Sequence, residues 1–315
     1  MKITNVTTIG LALIYSSFML ISCGGEMQEH SHNGADHTHE HGEDHDHNHQ
    51  DDHDHEDGHV HDHDHDNDES GYKIDFHSEP QQLVAGGSAI LSFTPTKEGN
   101  ENALVPLDIH HEKKMHLMIL STDLSYFEHI HPKYNGKEYE IKAIGSDESF
   151  SKERGLDETE FLQGGDYIMF VDYVPAGTSG SLDKIPLTVS GTPRKSIPLG
   201  DQSLIWENDG YHVELSMEKE LTMNTPTELK IHITENGKPV TDLDKYLGAL
   251  AHMVVLSEDT EEYLHVHPMQ SSTDGPDVIL HTNFPKAGKY KVFMQFNHKG
   301  LVRTTNFVVQ VDKQD

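Results

Sequence analysis

Cysteine is almost missing from this chain: Cys23 is the only one in 315 residues. An intrachain disulfide is thereby excluded, and beyond residue 23 no thiolate exists to bind a metal or act as a nucleophile. Positive charge is scarce as well, with 23 Lys and Arg against 54 Asp and Glu and a formal net charge of −31. A nucleic-acid partner needs a basic face, which such a chain does not offer. An anionic membrane surface would repel it too. Long apolar runs are absent except at 9–21, which is too short for a comfortable membrane span. No Ser-His-Asp order, phosphate loop or paired-carboxylate motif occurs, and the chain reads as a non-enzyme.

What is present begins with the leader, "MKITNVTTIGLALIYSSFMLISC". One Lys, an apolar stretch and a small residue before Cys23 make a secretory signal over 1–22. Leu20-Ile21-Ser22-Cys23 resembles the lipobox of bacterial lipoproteins, which implies cleavage before Cys23 and a lipid on its thiol. The expected location is the bacterial cell envelope, periplasmic or surface-exposed, with the lipid as the only hold on the membrane.

A tail over 23–70 follows, and "HDHNHQDDHDHEDGHVHDHDHD" at 45–66 is its centre. Residues 24–70 contain 14 His, 17 Asp or Glu, and no Lys or Arg. Only Val60 in the central run is apolar enough to bury, so the tail cannot offset the entropy of ordering and is expected to be disordered. As a flexible coil it would span about 35–40 Å. A solvated tether would need only Asp or Glu. The alternating imidazoles are explained by metal chelation, with His45, His47, His49, His53, His55, His59, His61, His63 and His65 as ligands.

After residue 70 the composition becomes ordinary. "SAILSFTP", "HLMIL", "DYIMFVDY", "ELKIHIT", "HMVVL", "KYKVFMQF" and "NFVVQV" read as strands separated by Gly, Pro and Asn. A break at 193–202 divides them into 71–192 and 203–315, each long enough for one β-sandwich. The fold class is all-β, two tandem sandwiches behind the tail. The halves are repeats. With a shift of 136, Leu107, Asp108, His116, Leu120, Ser121, Asp123, His129, His131 and Pro132 recur as Leu243, Asp244, His252, Leu256, Ser257, Asp259, His265, His267 and Pro268. "FLQGGDYIMFVDY" then answers "FPKAGKYKVFMQF".

The repeat selects six histidines. His129 and His131 share a strand face, as do His265 and His267. A hairpin around Asp123-Leu124 makes opposed residue numbers sum to about 247, which sets His116 opposite His131. The second copy repeats this around Asp259-Thr260. Three imidazoles on one face suit zinc or copper. Met118 shares the face of His116 and would favour copper, but the second copy has Val254 there. The same pattern also fits a hydrogen-bonded cluster that fixes the hairpin, and that reading stays open.

A strand His, then HxHP, then a Phe and a Gly-x-Tyr strand resembles the secreted YtkA-like modules of bacteria. Their architecture is similar to the CopC-type periplasmic copper-binding proteins. The resemblance covers about 72–192 and 203–313 and carries over His116, His129, His131, His252, His265 and His267. It implies immunoglobulin-like sandwiches and heavy-metal handling. The expected function is an envelope lipoprotein that binds or buffers zinc or copper, with a metal transporter or efflux system as candidate partner. A structural or adhesive module whose tail alone binds metal is the alternative. A cupin-like metal enzyme is a remote one, because Glu138 lies too far from the first HxH and the second has no Glu after it.

Overall fold

Alternation of apolar and polar residues produces strands throughout the computed structural model, which describes residues 71–145, 158–266, 268–269 and 273–314. Cys23, the tail histidines from His45 to His65, and His267 lie outside the described residues. The first half contains β1 (Tyr72–Glu79), β2 (Leu83–Val84), β3 (Ala89–Lys97), β4 (Met115–Ser121) and β5 (Phe127–Ile130). It continues with β6 (Lys133–Tyr134), β7 (Tyr139–Ala143), β8 (Glu158–Thr159), β9 (Gly165–Tyr173) and β10 (Ser181–Ser190). The second half contains β11 (Ile205–Asn208), β12 (Tyr211–Ser216), β13 (Leu221–Thr222), β14 (Thr227–Glu235) and β15 (Lys238–Pro239). Its last strands are β16 (Ala251–Ser257), β17 (Tyr263–Val266), β18 (Asp277–Thr282), β19 (Gly288–His298) and β20 (Leu301–Asp312). Among the described residues no helix is long and apolar enough to cross a membrane.

Each half is a two-sheet sandwich. The first pairs β1-β3-β7-β6, with β8 beside β7, against β2-β10-β9-β4-β5. The second pairs β11-β12-β14-β15, with β18 beside β14, against β13-β20-β19-β16-β17. Residues such as Leu91, Phe93, Leu117, Ile119, Ile141, Met169 and Val171 fill the first core. Val213, Ile231, Met253, Val255, Val292, Met294 and Phe307 fill the second. Burial of each such side chain contributes about 1.5–3 kcal/mol.

The hairpin register is the one the repeat implies. Met118 faces His129 and Leu117 faces Ile130, so the sum is 247. Val254 faces His265 and Met253 faces Val266, which is the same register 136 residues on. Several repeated residues have structural work that accounts for their recurrence. Ser121 donates its hydroxyl to Asp123 at 2.6 Å and Ser257 to Asp259 at 2.5 Å, closing the two hairpin turns. The Asp108 carboxylate accepts from Gly177 N–H and that of Asp244 from Gly300 N–H. Tyr167 donates to the Gln163 carbonyl and Tyr290 to the Lys286 carbonyl, each at 2.8 Å.

Strands β4, β9, β16 and β19 are buried on both faces. Their inward residues line the two cores, while Met118, Leu120, Phe170, Val254, Leu256, Tyr263 and Phe293 form a third cluster between the sandwiches. Contacts across it come in matched pairs. Phe127 stacks on Phe293 with ring centres 4.3 Å apart, and Tyr263 stacks on Phe170 at 4.9 Å. Phe127 and Tyr263 are repeat equivalents, as are Phe170 and Phe293, so the interface is self-complementary in the manner of a twofold dimer. The linker is tied down too. Arg194 donates to the Ser125 hydroxyl and Ile197 N–H to the Asp123 carboxylate.

Candidate metal centre

The outward faces of β4 and β9 run on, past Met118 and Phe170, to His116 and Asp172, which are paired across the sheet. On the second sandwich the same positions are His252 and Gln295. Because the sheets face each other, the histidines of both copies meet. His116, His129 and His131 have ring centres 4.7–5.3 Å apart. His265 comes within 5.6 Å of His116 and 6.1 Å of His129. His116, His129 and His131 are therefore in one cluster with His252 and His265 of the second copy and not in a remote site of their own.

Hydrogen bonds set which nitrogen carries the proton in four of these rings. A carbonyl can only accept, so His116 donates from Nε2 to the His110 carbonyl at 3.0 Å, and His252 donates from Nε2 to the Tyr246 carbonyl at 2.8 Å. His265 donates from Nδ1 to the Asp172 carboxylate at 2.9 Å. His129 donates from Nδ1 to Gln295 Oε1 at 2.9 Å, while the Gln295 amide group donates to Thr304. Asp172 and Gln295 are repeat equivalents, so each sandwich supplies the acceptor that orients the other's histidine. Metal-binding histidines characteristically have such outer partners, which set the tautomer and raise ligand basicity.

In neutral rings these bonds leave His116 Nδ1 and His129 Nε2 without protons, and those two atoms are 3.0 Å apart. Two facing lone pairs at that distance repel; a cation beside both removes the repulsion, as does a Gln295 amide turned to donate to His129 Nδ1, which lets His129 Nε2–H donate to His116 Nδ1. His131 Nε2 is buried and has no hydrogen-bond partner. Ligand atoms of His116, His129 and His131 all lie within 4.8 Å of one another. Protonation does not supply the cation. Burial, followed by repulsion from neighbouring rings, holds His129 and His265 well below the usual histidine range and brings His131 to about 3. Burial likewise takes His252 to about 4, and lowers His116 against the opposing pull of Asp172. The cluster is thus a set of neutral imidazoles beside a carboxylate that is only 3% exposed. That arrangement suits a divalent cation.

Met118 does not join it. Its sulfur, in the packed interface, accepts the Tyr263 hydroxyl at 3.6 Å. His77, His212, His232, His281 and His298 sit beside Glu138, Glu207, Asp277, Glu228 and Asp242. His111 is the addition that the repeat does not reveal, because its counterpart is Leu247. Its ring lies 5.8 Å from His252 and 6.0 Å from His265. The adjacent pair His110-His111, just before a strand histidine, was the available signal.

No curated protein matches the chain. Among solved structures, a mutant of Salmonella alpha-2-macroglobulin is 8% identical with a TM-score of 0.26 over 77% of this chain, and the chain spans only 15% of that protein. Domains 4 and 5 of the S-layer protein SbsC are 10% identical with a TM-score of 0.21, over 76% of this chain and 98% of that one. A carbohydrate-binding module of the β-sandwich superfamily is 12% identical with a TM-score of 0.22, over 78% of this chain and 93% of that one. Such scores carry nothing about function. One family model matches both halves, over 67–189 and 206–313, and the chain accordingly belongs to the family described as a domain of unknown function, DUF8832.

Proposed function

We propose that the chain binds a divalent transition-metal ion, zinc or copper(II), in the histidine cluster between its sandwiches. One observation carries this reading: His116 Nδ1 and His129 Nε2, both deprotonated by their outer hydrogen bonds, lie 3.0 Å apart in a buried neutral cluster. His131 is the third ligand, and imidazole donors without thiolate or thioether suit zinc or copper(II). The His- and Asp-rich tail gathers ions, and a lipid on Cys23 keeps the chain at an envelope membrane beside a metal transporter or efflux system. The YtkA-like and CopC-type resemblance of the HxHP pattern supports a role in metal handling, and the role is carriage or buffering, without catalysis.

A structural reading has its own support, since His116 and His252 each pin the carbonyl six residues earlier. Zinc-dependent thermal unfolding of the full chain separates the two. A tail without a preformed site binds zinc whether the sandwiches are folded or not, so only sites that exist in the fold raise the Tm. At zinc 100-fold above the Kd the gain is about 2.7 kcal/mol, and His131→Ala should remove most of it. A Tm that ignores zinc in the wild-type chain returns the cluster to the structural role.

A further inference from the structure

We propose that a second divalent ion is held by His252 and His265 of the second sandwich together with His111 of the first. The proposal rests on the reading of the cluster as a metal centre, and makes that centre binuclear. The three rings form a nearly equilateral triangle, with centres 5.8, 6.0 and 6.1 Å apart. Imidazoles sharing one tetrahedral zinc at about 2.0–2.1 Å have ring centres roughly 5–5.5 Å apart. By ring centres the triangle is within about an ångström of a closed shell, whereas among the described residues only His116, His129 and His131 already bring three ligand atoms within 4.8 Å of one another, so the second site must draw together as it takes its ion.

The parts of this triangle are already committed to it. His252 and His265 are held through their outer nitrogens by the Tyr246 carbonyl and the Asp172 carboxylate, so their other nitrogens are the unprotonated ones. The carboxylate partner orients His265 and strengthens it as a donor. His111 enters from a turn closed by backbone bonds between His110 and Lys113. That turn places His111 and Glu112 in succession in the left-handed region, at φ 46° and 64°. The second copy has Leu247 and Gly248 there, and Gly248 is the residue expected at such a φ. Two consecutive side chains in this region are strained, and strain of this kind persists where the site uses the residue. Here the turn carries an imidazole across the interface to the two histidines of the other sandwich. The repeat hides it, because only one copy needs the extra ligand.

The test is anomalous scattering at the zinc edge from crystals of the full chain grown with zinc alone, for wild type and His111→Leu. Leucine already occupies the equivalent position 247 at φ 52°, so the variant backbone is one the fold tolerates. Two peaks are expected in the wild type, one inside each triangle, with the second lost and the first kept in His111→Leu. A wild-type peak only among His116, His129 and His131, or a second peak that survives His111→Leu, overturns this inference and leaves the proposed function standing. A peak only in the second triangle keeps the His111–His252–His265 ligand set but overturns the binuclear centre and removes the His116–His129–His131 assignment. No peak at either place removes both.

Discussion

His265 and Asp172 belong to different sandwiches, and the 2.9 Å bond between them is buried in the interface. Its repeat-related partner joins His129 to Gln295 at the same distance. The two bonds differ in one respect, that one acceptor is charged and the other is an amide. The near-symmetric interface thus carries one carboxylate among a group of neutral imidazoles, hydrogen-bonded to His265 and paired across the sheet with His116.

Asp172→Asn tests what that charge does. Asparagine keeps the size and an acceptor oxygen, and an amide already fills the equivalent place in the second copy, so the fold should survive. Loss of an outer carboxylate partner commonly weakens metal binding 10–100-fold. Zinc-induced stabilisation at a fixed, near-saturating zinc concentration should shrink by about 1.4–2.7 kcal/mol. The same Tm rise in mutant and wild type would separate Asp172 from the metal.

Acid should unfold the metal-free chain. His131 and His252 are lowered by burial to about 3 and about 4, whereas in the unfolded chain they return to about 6.5. Between those values the unfolded state binds more protons than the native state, so stability rises with pH. It is fully present above about 6.5 and is lost as pH falls toward the folded values. At pH 5 each of these two histidines costs about 2 kcal/mol. Urea unfolding of chelator-treated protein at pH 7.5, 6 and 5 reads this directly, and equal midpoints at all three would refute it.

Much of this architecture was legible in the repeat. Strands with strict alternation or unbroken apolar runs, such as β4 and β19, were visible, and the register sum of 247 followed from the shared His, Ser and Asp. Three things were not. Internal repetition cannot say whether two equivalent faces turn to solvent or to each other, so the meeting of His116, His129 and His131 with His252 and His265, across the contacts of Phe127, Phe170, Tyr263 and Phe293, was hidden. Strand parity places Met118 beside His116, and although Val254 in the second copy argues against it as a ligand, the sequence does not show that interface packing against Tyr263 occupies it. His111 is invisible to the repeat, which marks what both copies keep, while its strained turn serves only one.

The interface and the metal should fail together. Phe293→Ala removes the ring on which Phe127 stacks and leaves a void in the cluster between the sandwiches, a change that costs about 3–5 kcal/mol for a buried aromatic. The individual cores of the two sandwiches do not contain Phe293, so the loss should fall on their association. Urea unfolding is expected to shift strongly, and the zinc-induced Tm rise to diminish with it. A full zinc response in a destabilised Phe293→Ala chain would mean that the cluster does not depend on the sandwiches being locked together.

Cys23 and the tail complete the proposal and can be tested in the same chain. On the proposed lipid anchor, Cys23→Ser should move the protein from the membrane fraction to the soluble one; retention after a high-salt wash would contradict the anchor. Deletion of 24–70 removes 14 of the 27 histidines but none of the cluster. By composition each His-Asp-His triplet in that run offers two imidazoles and a carboxylate at many overlapping registers, and ordering chain around an ion opposes binding every time. Affinity there should be modest, capacity high and exchange fast, the profile needed to feed a tighter site. Equilibrium dialysis against zinc should show the deleted chain losing several ions per molecule while its zinc-induced Tm rise stays intact. Equal zinc uptake with and without 24–70 would leave the tail with no part in metal capture.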